Sequence, residues 1–164
     1  MVKAKTKYFG EILANEEDNE IVILTRINVT GREQEISILM EIEKTSKTMD
    51  ICVNILDDYK RIYENGKKIL EAEYHKNNGM KDFLHELLEK YGEEKFFEIF
   101  GVKHIAGRKI NELIENLDGP NISLEVKDGK EDICLVYGLN NEIEEMMAIK
   151  INRKYEMEDI EYYD

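Results

Sequence analysis

The residues that come closest to a chemical motif in this chain are His85, Glu86 and Glu89. In one class of zinc protease, two histidines four positions apart on a helix bind the metal, and a glutamate between them acts as the base. Here the position of the second histidine is taken by Glu89. A catalytic zinc takes three protein ligands, and the sequence indicates no third ligand beside His85 and Glu89. We therefore predict no metal site and no cofactor.

The other nucleophilic and basic side chains stand singly along the chain. His75 and His104 have no adjacent serine, cysteine or carboxylate that would suggest a nucleophile and its base. Cys52 and Cys134 lie in apolar segments without a basic neighbour, so we predict two buried free thiols in a reducing cytoplasm. Since catalytic groups can assemble in space, an enzyme site built from His85, His104 or the tyrosines stays open as an alternative.

The charge balance favours one class of partner. The chain of 164 residues carries 36 acidic and 23 basic side chains, a formal net charge of -13. Such a field repels phosphate groups, which disfavours nucleic acids and anionic membranes as partners and favours a basic protein. No apolar run approaches the roughly 20 residues of a spanning helix, so we expect a soluble, cytoplasmic protein.

The C-terminal segment is the strongest candidate for a partner-binding surface, because tyrosines alternate there with acidic residues. Aromatic rings beside carboxylates suit a basic protein partner. The competing interpretation is an edge strand whose charges prevent unwanted pairing. The predicted partner-binding residues are Tyr155, Glu156, Glu158, Asp159, Glu161 and Tyr162.

The elements that must position these residues begin with strands. A short strand is predicted over 8–13. Apolar residues then alternate with polar ones over 21–29 and again over 36–42, which predicts a hairpin with its turn around Thr30 to Arg32. Gly31 supplies the positive φ that such a turn requires.

The middle of the chain has helical periodicity. Apolar residues recur at helical spacing over 52–74, and Asn65 with Gly66 is expected to kink or divide that helix. A turn at 78–79 precedes a further helix, the aromatic stretch 96–100 ends at a capping Gly101, and a last helix over 108–117 is stopped by Gly119 and Pro120.

Strands return in the last third. Alternation over 122–126 and 133–137 flanks the turn signal Asp128-Gly129, and further strands are predicted over 147–151 and around 160–162. Hairpin-length connections imply antiparallel neighbours. We therefore predict a single α+β domain over 1–164, in which one antiparallel sheet from both chain ends is covered on one face by the central helices.

Several short segments resemble a bacterial family known only as a domain of unknown function, of the type numbered 2004. They are Tyr-Phe-Gly-Glu at 8–11, the hairpin through Gly31 and Arg32, Val-Tyr-Gly at 136–138 and the strand 148–152. The resemblance implies no catalytic residues. Small acidic α+β proteins of this kind are also similar in outline to the immunity proteins of bacterial toxin systems.

The sequence therefore favours a non-enzymatic, acidic protein-binding module, for example an immunity protein that neutralises a basic toxin or another cationic protein. A small enzyme or ligand-binding domain and an uncharacterised structural domain are the alternatives. A homodimer that seals the edge strands is also compatible with the sequence.

Overall fold

The computed structural model of the chain describes residues 2–14, 17, 20–28, 31–43, 45–76, 78–103, 105, 110–139 and 143–163. The described strands are β1 (Val2–Lys5), β2 (Glu11–Ala14), β3 (Glu20–Asn28), β4 (Glu33–Ile42), β5 (Asp118–Lys127), β6 (Lys130–Gly138), β7 (Met146–Ile151) and β8 (Met157–Tyr163). The described helices are α1 (Ser46–Asp57), α2 (Tyr59–Lys76), α3 (Asn78–Phe100) and α4 (Ile110–Glu115).

The α+β class is confirmed, but the prediction of a single antiparallel sheet is wrong in two respects. The strands form a two-stranded sheet, β1-β2, and a six-stranded sheet in the order β3-β4-β5-β6-β7-β8. Within the larger sheet β4 and β5 are parallel, while every other neighbouring pair is antiparallel. The reason is that α1 to α4 all lie between β4 and β5, and a connection of that length can return the chain to the same end of the sheet.

Strand alternation determines which face of the large sheet is covered. Ile38 and Met40 of β4, Leu124 of β5 and Leu135 of β6 are buried on the face that meets the helices. The hydroxyl of Tyr59 in α2 donates a hydrogen bond to the backbone oxygen of Pro120 at 2.8 Å, which ties the helix layer to β5. The core therefore lies between the helices and one face of the sheet.

Helix α1 begins at a capping box. Thr45 precedes the helix, its side-chain oxygen accepts from the Thr48 backbone N–H at 3.2 Å, and the Thr48 hydroxyl accepts from the Thr45 backbone N–H at 3.2 Å. The helix ends at Asp58, so the periodic run over 52–74 is divided there and not at Gly66.

Helix α2 runs through Gly66, where the sequence predicted a kink or break. A Cβ at position 66 would lie 2.0 Å from the hydroxyl oxygen of Tyr137 on β6. The glycine is therefore required by the close approach of the sheet to the helix, and its helix-weakening effect is tolerated inside a packed element.

Two of the other turn signals are confirmed, whereas the turn predicted at 78–79 is wrong, because Asn78 and Gly79 already belong to α3. Gly101, with a φ of 72°, caps α3, and its N–H donates to the Phe97 oxygen at 2.8 Å. The hairpin turn at Asp128 and Gly129 has positive φ at both residues. Gly119 and Pro120 do not stop a helix directly, because they already belong to β5.

Candidate functional site

The second face of the six-stranded sheet carries no helix within the described ranges. Its side chains alternate with the core residues, and Val22 and Leu24 on it have exposed fractions of 65% and 64%. We call this surface the open face. On β3, β4 and β5 its residues are Glu20, Val22, Leu24, Arg26, Glu33, Glu35, Ser37, Leu39, Glu41, Asn121, Ser123, Glu125 and Lys127. On β6, β7 and β8 they are Asp132, Cys134, Val136, Met146, Ala148, Lys150, Asp159, Glu161 and Tyr163.

A hollow lies where small side chains meet on three adjacent strands of the open face. Ser123 pairs in register with Cys134, and Ala148 lies on the next strand, opposite Val136. This hollow, which we call the central hollow, has a volume of about 280 Å³. Asp159 and Glu161 of β8 lie on its margin. The floor is thus small and partly apolar, while the margin is acidic.

Carboxylates outnumber cations over the whole open face. Lys127 binds Glu41 and lies 3.7 Å from Glu125, whereas Lys150 lies 3.3 Å from Asp132. The hydrogen bonds to Glu41 and Asp132 raise the pKa of Lys127 and of Lys150 respectively, so both lysines are charged at neutral pH. These contacts neutralise only part of the negative charge.

Three exposed apolar side chains form a cluster near one end of the open face. Val22 and Leu24 of β3 lie beside Leu39 of β4, whose exposed fraction is 39%, and Val22 pairs directly with Leu39. A second hollow of about 360 Å³ adjoins this cluster and is lined by Leu24, Ser37 and Asn121, among others. The face therefore combines exposed apolar contact area with acidic groups.

The predicted partner-binding residues do not share one surface, because side chains along β8 alternate between the two faces of the sheet and others lie in the turn before it. Asp159 and Glu161 lie exposed on the open face, together with Tyr163, which the sequence did not single out. Glu156 in the turn and Glu158 at a register shift of β8 are exposed. Because alternate residues of a strand share a face, the positions 159 and 161 already predict that Tyr163 lies on the same surface.

Tyr162 points to the opposite side, into the helix layer. Its ring lies 5.0 Å from that of Phe83 in α3, and its hydroxyl is buried without a hydrogen-bond partner among the described residues. Burial raises the pKa of Tyr162 to about 12. A protein docked on the open face would not reach this ring.

Tyr155 is also inaccessible, in the turn between β7 and β8. Its backbone has a φ of 64°, and its hydroxyl donates to Asp58 and accepts from the Arg153 guanidinium at 2.7 Å. The guanidinium of Arg61 lies 5.0 Å from the ring centre. The side chain therefore holds this turn against the start of α2, which is a structural role.

The two described histidines lie exposed on helices, on the opposite side of the large sheet from the open face. His85 and Glu89 are exposed on α3, and His75 is exposed at the end of α2. His104 lies outside the described residues. Across the part of the chain that the structure describes, no group of three or more His, Cys, Asp or Glu side chains is placed to hold a metal ion.

Both cysteines are free thiols with little thiolate at neutral pH. Cys52 is buried in α1, and that burial raises its pKa to about 12. Cys134 is half-buried in the floor of the central hollow, and desolvation raises its pKa as well. Because the thiolate is the reactive form, neither residue has the environment of a catalytic nucleophile.

Comparison with protein-family models gave no match, and neither curated proteins nor solved structures matched the chain. The resemblance to the family numbered 2004 therefore stays a prediction. None of the described helices is both long and apolar enough to cross a lipid bilayer.

Proposed function

We propose that this protein is an acidic protein-binding module that docks a basic protein on the open face of its six-stranded sheet. The observation that carries the proposal is the coexistence on one uncovered face of an acidic margin and a small, partly apolar hollow. An immunity protein that neutralises a basic toxin is one module of this kind. Two free thiols are consistent with a reducing compartment such as the cytoplasm.

Electrostatics favours a basic occupant of the open face. The formal net charge of -13 attracts cationic proteins over a distance, and the side chains of Asp159, Glu161 and Glu35 are exposed on the open face. Charges arranged in this way raise the association rate and select against acidic partners. Because exposed charges are screened by salt, the complex should weaken as ionic strength rises.

The exposed apolar side chains favour packing against a folded protein over purely electrostatic attraction of cations. The exposed side chains of Val22, Leu24 and Leu39 give apolar area that water covers in the free protein. Contiguous exposed apolar patches of this kind are typical of interaction sites. The long stems of lysine and arginine can also lie along the small residues of the central hollow while their charged ends reach its acidic margin.

The proposal is tested by comparing two variants with the same change in net charge. Asp159→Asn with Glu161→Gln removes two charges from the open face, and Glu89→Gln with Glu93→Gln removes two exposed charges from α3. Tagged wild type and both variants are used to capture proteins from lysate of the source cells at low and at high salt. We expect a basic protein to be retained at low salt by the wild type and by the α3 variant.

The open-face variant should bind that same basic protein at least about tenfold more weakly, because it lacks charges that contact the partner. Equal weakening in both variants would show that only the overall charge matters and would refute docking on the open face. A wild-type protein that retains no basic protein at low salt would refute the proposal as a whole.

A further inference from the structure

The two outer edges of the six-stranded sheet differ. The β8 edge is interrupted by a register shift opposite Lys150 and Ile151 and carries the exposed carboxylate of Glu158. The β3 edge is regular, since β3 pairs with β4 without a shift from Glu20 to Asn28. Bulges and charges are the usual protection of an edge strand. The β8 edge has both, whereas β3 presents a regular edge without a bulge, on which the exposed charges of Glu20 and Arg26 flank exposed apolar side chains.

The sequence of β3 is complementary to itself in one antiparallel register. If Ile23 stands opposite Ile23 of a second copy, Glu20 of each copy faces Arg26 of the other, and Val22 faces Leu24. Residues that stand directly opposite in such a pair share a face of the sheet. Two ion pairs and two apolar pairs therefore form together on the open face.

We propose that two copies of this chain associate by antiparallel pairing of their β3 edges, centred on Ile23, to form a continuous sheet across a two-fold axis.

Neighbouring registers lack this complementarity. Centring the pair on Leu24 places Val22 opposite Arg26 and leaves Glu20 without a cation across the strand boundary. If the pairing slips by one residue, the open face of one copy lies on the same side of the joined sheet as the core face of the other. The charges at positions 20 and 26 thus select a single register.

The dimer does not depend on the proposed function, and the two have opposite responses to salt. Each copy has a formal net charge of -13, so the copies repel each other at low ionic strength. Salt screens that repulsion more than it weakens close apolar contacts. We expect added salt to strengthen the dimer and to weaken the complex with a basic protein.

Analytical ultracentrifugation of the full chain over a range of concentrations tests the pairing at about 0.15 M salt, where long-range repulsion is screened and close charge pairs still act. The wild type should reach twice the monomer mass of 19.3 kDa as its concentration rises. Glu20→Arg and Arg26→Glu each place like charges opposite one another across the interface, and each should weaken self-association at least about tenfold. An equimolar mixture of these two variants restores opposite charges at every pair and should restore the dimer.

Controls separate the interface from general effects. Glu158→Arg makes the same charge change at the β8 edge and should leave the dimer intact. Arg26 also stands opposite Glu35 within the chain, so folding of each variant is checked by circular dichroism. Leu24→Asp weakens the interface without altering either charged position and should behave as a monomer.

A wild type that stays monomeric at every concentration would overturn the proposal. So would a mixture of Glu20→Arg and Arg26→Glu that remains as weakly associated as each variant alone, or a Leu24→Asp variant that dimerises like the wild type. Loss of the basic partner would leave all three readouts unchanged, so the two proposals fail separately.

Discussion

Replacing Ala148 by phenylalanine is expected to abolish capture of the basic protein, with a loss of affinity of at least about 100-fold. Ala148 lies on the floor of the central hollow, whose volume of about 280 Å³ has room for a phenyl ring. The ring would occupy the space into which the partner packs, while the net charge of the protein would stay the same. The affinity of the variant for the captured protein is measured by isothermal titration calorimetry.

Ala72→Phe provides the matched control, because Ala72 is exposed on α2, away from the sheet. This variant should bind the basic protein as the wild type does. If Ala148→Phe also bound with wild-type affinity, the partner would be held by long-range charge alone, and docking into the open face would be wrong.

Replacing Gly66 by alanine should lower the free energy of unfolding by about 2 kcal/mol, although alanine ordinarily strengthens a helix by about 1 kcal/mol. The new Cβ would lie 2.0 Å from the Tyr137 hydroxyl oxygen, which is far inside van der Waals contact. Tyr137 is buried on β6 and cannot swing away into solvent. Either the helix or the strand must shift, and core contacts are lost.

Removing the Tyr137 hydroxyl should rescue this variant. The hydroxyl is buried without a hydrogen-bond partner among the described residues, so Tyr137→Phe alone should change the stability by less than about 0.5 kcal/mol. In the double variant the closest remaining ring atom would lie 3.3 Å from the new Cβ. Urea unfolding of the four proteins gives the coupling between the two sites, and a double variant as unstable as Gly66→Ala would contradict this account.

Much of the fold could be predicted from local patterns. Alternation at Ile36, Ile38 and Met40 identified the covered face of β4, and the Asp128-Gly129 turn identified the β5-β6 hairpin. These features depend on the side-chain period of a strand and on backbone conformation, which a sequence displays directly.

The errors arose where distant parts of the chain meet. The parallel pairing of β4 with β5 follows a long helical connection, and the sequence does not state where such a connection returns. The role of Gly66 depends on Tyr137, 71 positions later in the numbering, so its contact was invisible in a local reading. A glycine in a helix then looked like a break.

The candidate site was predicted in composition but not in geometry. An acidic and aromatic surface near the C terminus was expected, and Asp159 and Glu161 do lie on the open face. Tyr162 faces the helices because neighbouring residues of a strand point to opposite sides, and Tyr155 is buried by its contacts with Asp58 and Arg153. The hollow was missed because its small residues come from three separate strands.

Docking on the open face can be tested by the accessibility of Cys134, a native thiol in the floor of the central hollow. The rate at which iodoacetamide alkylates this thiol is measured by mass spectrometry for the free protein and for its complex with the captured basic protein, at a mildly alkaline pH because the pKa of Cys134 is raised. Cys52 is fully buried and serves as the internal reference. If the partner docks on the open face, Cys134 should be alkylated at least about tenfold more slowly in the complex than in the free protein. An unchanged rate at Cys134 in a saturated complex would show that the partner binds elsewhere and would contradict the proposed function.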